Sequence, residues 1–201
     1  MSQYYSGGCC AKGSVVKMAD GTSKNIEDLK LNDKIMTINI DDNFIKEEES
    51  YVECLVILNS KNGYEYMVEL DNNLTISPYH PIYSHTMLKY KWIYPKEIST
   101  SIPQKVHCDK LYSVLVSNRK PVIINDYICS TLGDNLQENS INHKYFGSKN
   151  VIEDLKRFSS YKLGFVNIEK CLLIKDYSNG EIISLVNIPK TFVENLYYAN
   201  L

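Results

Sequence analysis

Two short stretches of this chain carry side chains suited to covalent chemistry: Gly7-Gly8-Cys9-Cys10, and Ser77-Pro78-Tyr79-His80 about seventy residues further on. A thiol is a strong nucleophile once ionised, but at neutral pH it is mostly protonated and needs help with that proton. Histidine is the side chain whose ordinary pKa suits it to that task. Glycine at position 8 lets the backbone twist and be approached closely. Each stretch also has a plainer reading. Cys9 and Cys10 can be packing cysteines at the start of a strand, and His80 a structural loop histidine. Successive residues of a strand face opposite ways, so Cys10 is expected in the core whatever Cys9 does. His85 and His107 read as surface histidines.

The elements that would position these residues are strands. Residues 13–18 and 34–40 are β-branched runs, with a turn at Asp20-Gly21-Thr22. In 49–58, Val52, Cys54, Val56 and Leu58 alternate and are expected on one face. A turn at Ser60–Gly63 leads into 64–70, and Asn72-Asn73 turns the chain into Leu74-Thr75-Ile76. Pro78 and Pro81 keep the histidine stretch out of a central ladder, and a stiff, exposed loop is expected there. Residues 110–116 read as a strand, and 122–129 as its hairpin partner. Short strands at this spacing predict an all-β domain. After residue 142 a smaller α+β piece is expected. Ser148 would cap a helix with the apolar face Val151, Ile152, Leu155 and Phe158. Strands at 165–174 and 181–188 would be joined through Asn179-Gly180, and a short helix at 190–198 would follow Pro189. The expected organisation is a flanking segment 1–8, a β-domain 9–142 and an extension 143–201.

Composition limits the function classes. With 201 residues, 44% of them hydrophobic, the chain can bury a real core. Lys+Arg 22 against Asp+Glu 24 gives a net charge of −2, which argues against a nucleic-acid footprint. Sixteen tyrosines suit a β-rich fold. No stretch is apolar for the roughly 20 residues of a membrane helix, and no secretory signal opens the chain, so a cytoplasmic setting is expected. The six cysteines (9, 10, 54, 108, 129 and 171) form no C-x-x-C pair. Most read as small buried hydrophobes in a reducing compartment, with neither metal nor cofactor expected.

The order of these pieces resembles the opening of Hint domains, the module shared by inteins and the hedgehog autoprocessing domain. The features that carry the likeness are Cys9 before a β-branched run, a glycine turn, then Ile26-Glu27-Asp28-Leu29 and Asn32-Asp33-Lys34-Ile35. Ser77-x-x-His80 stands for the family's T-x-x-H, and Asn32 where Gly is usual. A narrower likeness is to the Hint domains attached to von Willebrand factor A domains, the Vint family. Asn125, Cys129, Thr131, Leu132 and Gly133 match its closing strands, and Tyr145, Phe146, Gly147, Ser148, Val151, Asp154 and Leu155 the segment that follows. Three departures stand out: Asp134 replaces a histidine, Lys120 stands where another is common, and Asp126 takes the place of a glycine.

The resemblance implies an autoprocessing domain with a Hint β-fold. Cys9 would attack the Gly8 carbonyl, turning the Gly8–Cys9 amide into a thioester whose later hydrolysis or interception releases the upstream segment. His80 would protonate the amide nitrogen, and Ser77 would orient the peptide bond. Either Asp126 or Asp134 would orient His80 or the nucleophile. Cys129 fits the family pattern and equally a buried thiol. No His-Asn dipeptide occurs, so full splicing is not expected. The implied partners are the upstream segment of the same polypeptide and a von Willebrand A domain in cis. The contrasting reading is an inactive Hint domain kept as an interaction module in a von Willebrand A or ubiquitin-linked protein.

Overall fold

A computed structural model describes residues 9–41, 44–60, 62–85, 90–98, 100, 102–136, 141–169 and 172–187. Strands β1 (Cys10–Ala11), β2 (Val15–Lys17) and β3 (Ser23–Asn25) are short. They precede the long pair β4 (Lys34–Asp41) and β5 (Phe44–Asn59). Next come β6 (Tyr64–Leu70), β7 (Leu74–Ile76), β8 (Ile82–His85), β9 (Tyr90–Ile93), β10 (Gln104–His107) and β11 (Lys110–Val116). The hairpin β12 (Val122–Ile124) and β13 (Tyr127–Cys129) follows. The remainder comprises α1 (Lys149–Leu155), β14 (Phe165–Glu169), β15 (Leu173–Lys175) and β16 (Ile182–Leu185). The fold is mainly β, as the strand spacing predicts. Among the described residues β1 to β14 belong to one hydrogen-bonded network, whose spine runs β10-β6-β7-β1-β11-β5-β4-β12-β13-β8-β9.

Alternation along these strands divides the apolar side chains between two faces. One face builds the principal core from Cys10, Val16, Ile35, Val52, Leu55, Ile76, Val114 and Val122 among others. The other face of β5 and β11, with Cys54, Val56 and Leu115, is covered by Tyr145, Val151, Leu155, Ile168 and Leu185 from the C-terminal residues. The expectation that Val52, Cys54, Val56 and Leu58 share one face is corrected. Leu115 pairs with Cys54 but Val116 with Val52, so Glu53 is an extra residue in β5, a β-bulge. The bulge returns Val52 to the principal core, while Cys54 and Val56 face the second. Glu53 itself meets Arg119 at 2.6 Å and accepts a hydrogen bond from the Tyr161 hydroxyl.

The reading of 122–129 as one strand paired with 110–116 is also corrected. Asn125 and Asp126 both adopt left-handed backbone, φ 46° and 66°, and fold these residues into a hairpin of their own. Asn and Asp tolerate that conformation better than other non-glycine residues. β12 then pairs with β2 and β4, and β11 lies between β1 and β5. In the C-terminal piece Ser148 caps α1 as expected, its hydroxyl accepting from the Asn150 N–H at 3.2 Å. Residues 165–174 are two strands rather than one. β14 adds in parallel to β5, and β15 pairs with β16 across the Asp176–Gly180 turn. The helix expected at 190–198 lies outside the described residues.

Asp154 pins this piece together. Its carboxylate accepts from Tyr145 Oη at 2.9 Å, Ser184 Oγ at 2.9 Å and the Leu185 N–H at 3.0 Å, and pairs with Arg157 at 3.1 Å. Burial alone would raise its pKa, but these partners hold it below the ordinary carboxylate value. Asp154→Ala leaves a buried hydroxyl and a buried N–H without their acceptor. We expect a loss of about 3 kcal/mol, read as a lower urea midpoint at unchanged m-value.

Candidate active site

The spacing of Ser77 and His80 is the spacing of one β-turn. The His80 N–H donates to the Ser77 carbonyl at 3.1 Å, with Pro78 in the second position, where its fixed φ is favourable. The turn follows β7 directly, and β7 pairs with β1 through Cys10 and Ile76, so Ser77 falls beside Cys9. The Ser77 N–H donates to the Cys9 carbonyl at 2.9 Å. Its hydroxyl oxygen accepts the Cys9 N–H at 3.0 Å and lies 3.1 Å from the Cys9 carbonyl, to which it can donate. One side chain therefore grips both polar groups of the Cys9 backbone, including the nitrogen of the bond to residue 8. Gly8, the other half of that bond, lies outside the described residues.

His80 is 3% exposed, so the expected exposed loop is in fact interior. The two prolines bar the stretch from a ladder, but they do not decide its burial. Nε2 lies 3.0 Å from the Ser130 carbonyl and must carry the proton there. Nδ1 is thereby left as the basic nitrogen, buried and without a hydrogen-bond partner. Burial pushes the imidazole pKa down to about 4, and the nearby backbone of Ser130 and Cys9 offsets only part of this. His80 is thus neutral at physiological pH, in contrast to the protonated acid expected from the motif.

The thiol of Cys9 has a neighbour that sequence reasoning missed. Ser113 Oγ, on β11, is 3.1 Å from Cys9 Sγ, and both side chains are buried. The contact follows from register: Cys10 pairs with Tyr112, which sets Cys9 opposite Ser113. The only local sign was a small hydroxyl residue inside the run Leu111-Tyr112-Ser113-Val114-Leu115-Val116.

The two aspartates are not at the thiol. Asp126 is on the β12–β13 turn and meets Asn72, before β7, whereas Ser77 follows it; it therefore lies at the opposite end of β7 from the site. Asp134 accepts the Thr131 N–H at 3.0 Å and closes the turn just after Ser130. Burial raises its carboxyl to about 7, against the lowering effect of the Thr131 and Leu136 N–H groups. Asp134 is thus one link removed from His80, through the segment that carries the Ser130 carbonyl. Lys120 is held by Glu48 at 2.6 Å. Cys10 and Cys129 are fully buried in the principal core, and burial raises both thiols well above their ordinary pKa. His107 is exposed, with Asp109 at 3.8 Å, while the side chain of His85 is outside the described set. Among the described residues no helix is long and apolar enough to cross a membrane.

A cysteine at the start of a mainly β fold, its backbone gripped by the serine of a Ser-x-x-His turn, is the arrangement that these strands build. A family model described as a Hint-domain, Vint, matches residues 8–184, and the chain belongs to that family. No curated protein matches it. Among solved structures, a bacterial intein-like domain from Clostridium thermocellum is 13% identical, with 61% of this chain and 97% of that one covered at a TM-score of 0.46. A DnaB intein from Synechocystis is 17% identical, with 62% of this chain and 98% of that one covered at a TM-score of 0.45.

Proposed function

We propose that this domain cleaves, once and in cis, the peptide bond between Gly8 and Cys9, through a thioester on Cys9. The observation that carries the reading is the pair of hydrogen bonds between one hydroxyl, Ser77, and the backbone of Cys9, accepted from its N–H and donated to its carbonyl, in the same turn that presents an unpartnered imidazole nitrogen. In the proposed step the bond from Cys9 Sγ to the Gly8 carbonyl carbon forms and the bond from that carbon to the Cys9 nitrogen breaks. The thiol proton passes to Nδ1 of neutral His80 and from there to the departing nitrogen, so the imidazole serves as base and then as acid. Ser113 holds the sulfur in place, and Ser77 holds the peptide bond. Water or an added nucleophile then releases the upstream segment with Gly8 at its end. That segment is the domain's partner in this reading.

A carrier fused upstream of Ser6 provides the test. The fusion is expected to shorten with time, and N-terminal sequencing of the retained product should begin at Cys9. A stable fusion, or cleavage at another bond, contradicts the proposal. Ser113→Ala removes the hydroxyl beside the sulfur and should slow release by roughly 10-fold or more, at the scale of a lost buried hydrogen bond. Equal rates in wild type and variant would make Ser113 a packing residue.

A second reading keeps the fold without the chemistry, as an interaction module beside a von Willebrand A domain or in a ubiquitin-linked protein. It draws on the three departures, since Lys120 is tied to Glu48, Asp134 to its own turn and Asp126 to Asn72. None of the three puts an acid or base against Cys9.

A further inference from the structure

A cavity of about 30 Å³ borders Cys9 and Ser113. Apart from those two residues its wall is apolar: Val56 and Leu58 from β5, Leu155 from α1, Ile168 from β14 and Leu185 from β16. Val56, Leu155, Ile168 and Leu185 are buried, whereas Leu58, Phe146 and Leu173, which also line the cavity, are half-buried. A water in this space would meet only the Ser113 hydroxyl and the Cys9 thiol, fewer than the roughly three polar partners a buried water usually has. The β-domain supplies the reacting sulfur, but the C-terminal piece supplies most of the wall.

We propose that this cavity selects the nucleophile that resolves the Cys9 thioester, favouring a small, uncharged, apolar thiol over charged thiols. The inference rests on the reading that Cys9 carries the acyl group. In such a thioester the acyl carbon is one bond from the sulfur, so a group seated in the cavity lies beside the reacting carbon. The incoming sulfur bonds to that carbon, the bond from the carbon to Cys9 Sγ breaks, and the electron pair leaves on Sγ. The proton of the incoming thiol ends on Sγ. Cys9 is restored, and the upstream segment departs as a thioester of the incoming thiol. Each methylene moved from water into an apolar wall favours binding about fourfold. A sulfonate or carboxylate would have to enter without a counter-charge.

The experiment compares ethanethiol with 2-mercaptoethanesulfonate on the full-length carrier fusion. Each rate is divided by the rate of the same thiol with a free peptide thioester ending in Ser-Gly-Gly, which removes differences in intrinsic reactivity. The corrected ratio is expected to favour ethanethiol by about 10-fold or more, at the scale of two buried methylenes. Leu185→Ala enlarges the cavity and should raise the corrected rate for phenylmethanethiol. If that variant does not fold, Leu58→Ala at the half-buried side makes the same test. A corrected ratio near one, while hydroxylamine still releases the carrier, overturns the cavity inference and leaves the cleavage reading standing. Failure of hydroxylamine to release the carrier overturns both.

Discussion

Replacing Cys9 with alanine is expected to abolish release of an upstream carrier, whereas replacing Cys10 should weaken the fold and leave release running. The two side chains point to opposite faces of the strand. Cys10 is fully buried in the principal core beside Val16 and Ile76 and makes no contact suited to catalysis. Cys9 turns the other way, to Ser113 and the cavity under the C-terminal piece. Cys9→Ala removes the atom that would receive the acyl group in the proposed step, so no thioester and no release are expected over days. Cys10→Ala removes one buried sulfur from a packed core and should lower stability by about 1–2 kcal/mol, with release slowed less than 10-fold. Carrier release followed by mass, beside urea unfolding of each variant, separates the two outcomes. Equal loss of release in both, with both folded, would place the reacting cysteine wrongly.

His80→Ala should slow release by about 10²–10⁴-fold, the usual contribution of a positioned acid–base group. The structure changes the form of the pH prediction. With its pKa pushed down to about 4 by burial, His80 is neutral through the physiological range, and in the proposed step it would take up a proton only from the thiol. The acid limb of the rate profile should therefore lie near pH 4 and not near the ordinary histidine value. Stability carries the same signature. Between the ordinary pKa of about 6.5 and the folded value of about 4 the unfolded chain binds the extra proton. Stability contributed by neutral His80 is thus complete above that window and is lost as pH falls through it. The loss is on the order of 3 kcal/mol, and His80→Ala should remove this part of the pH dependence. Release by His80→Ala at the wild-type rate would reduce the Ser77–His80 turn to a structural role.

Much of this arrangement was legible because it is local. The β-branched runs gave the strands, Asn72-Asn73 gave a turn, and the alternation of Cys9 and Cys10 put the two side chains on opposite faces, Cys10 in the principal core. The Ser-x-x-His spacing is itself a turn. What could not be read depends on which strands meet. Ser113 reaches Cys9 only because β1 pairs with β11, about one hundred residues away, and no local pattern carries that register. The Glu53 bulge is hidden for the same reason, since it exists only in the pairing of β5 with β11. His80 was misplaced as exposed because prolines report on hydrogen-bonding capacity, whereas its burial goes with tertiary contacts such as that of Nε2 with the distant Ser130 carbonyl. Asp126 and Asp134 stood as equal candidates for orienting His80 or the nucleophile. Their separation, one at the far end of β7 and one behind Ser130, came only with the folded chain.

The central claim is that an acyl group passes to Cys9, and hydroxylamine tests it most directly. This small nucleophile converts a thioester to a hydroxamate but leaves ordinary amides intact at neutral pH. A carrier fused upstream of Ser6, incubated with hydroxylamine, should be recovered as a fragment whose intact mass corresponds to a hydroxamate on Gly8. The remainder should begin with a free Cys9 thiol. An intact fusion after prolonged incubation, with the domain folded, would contradict the account.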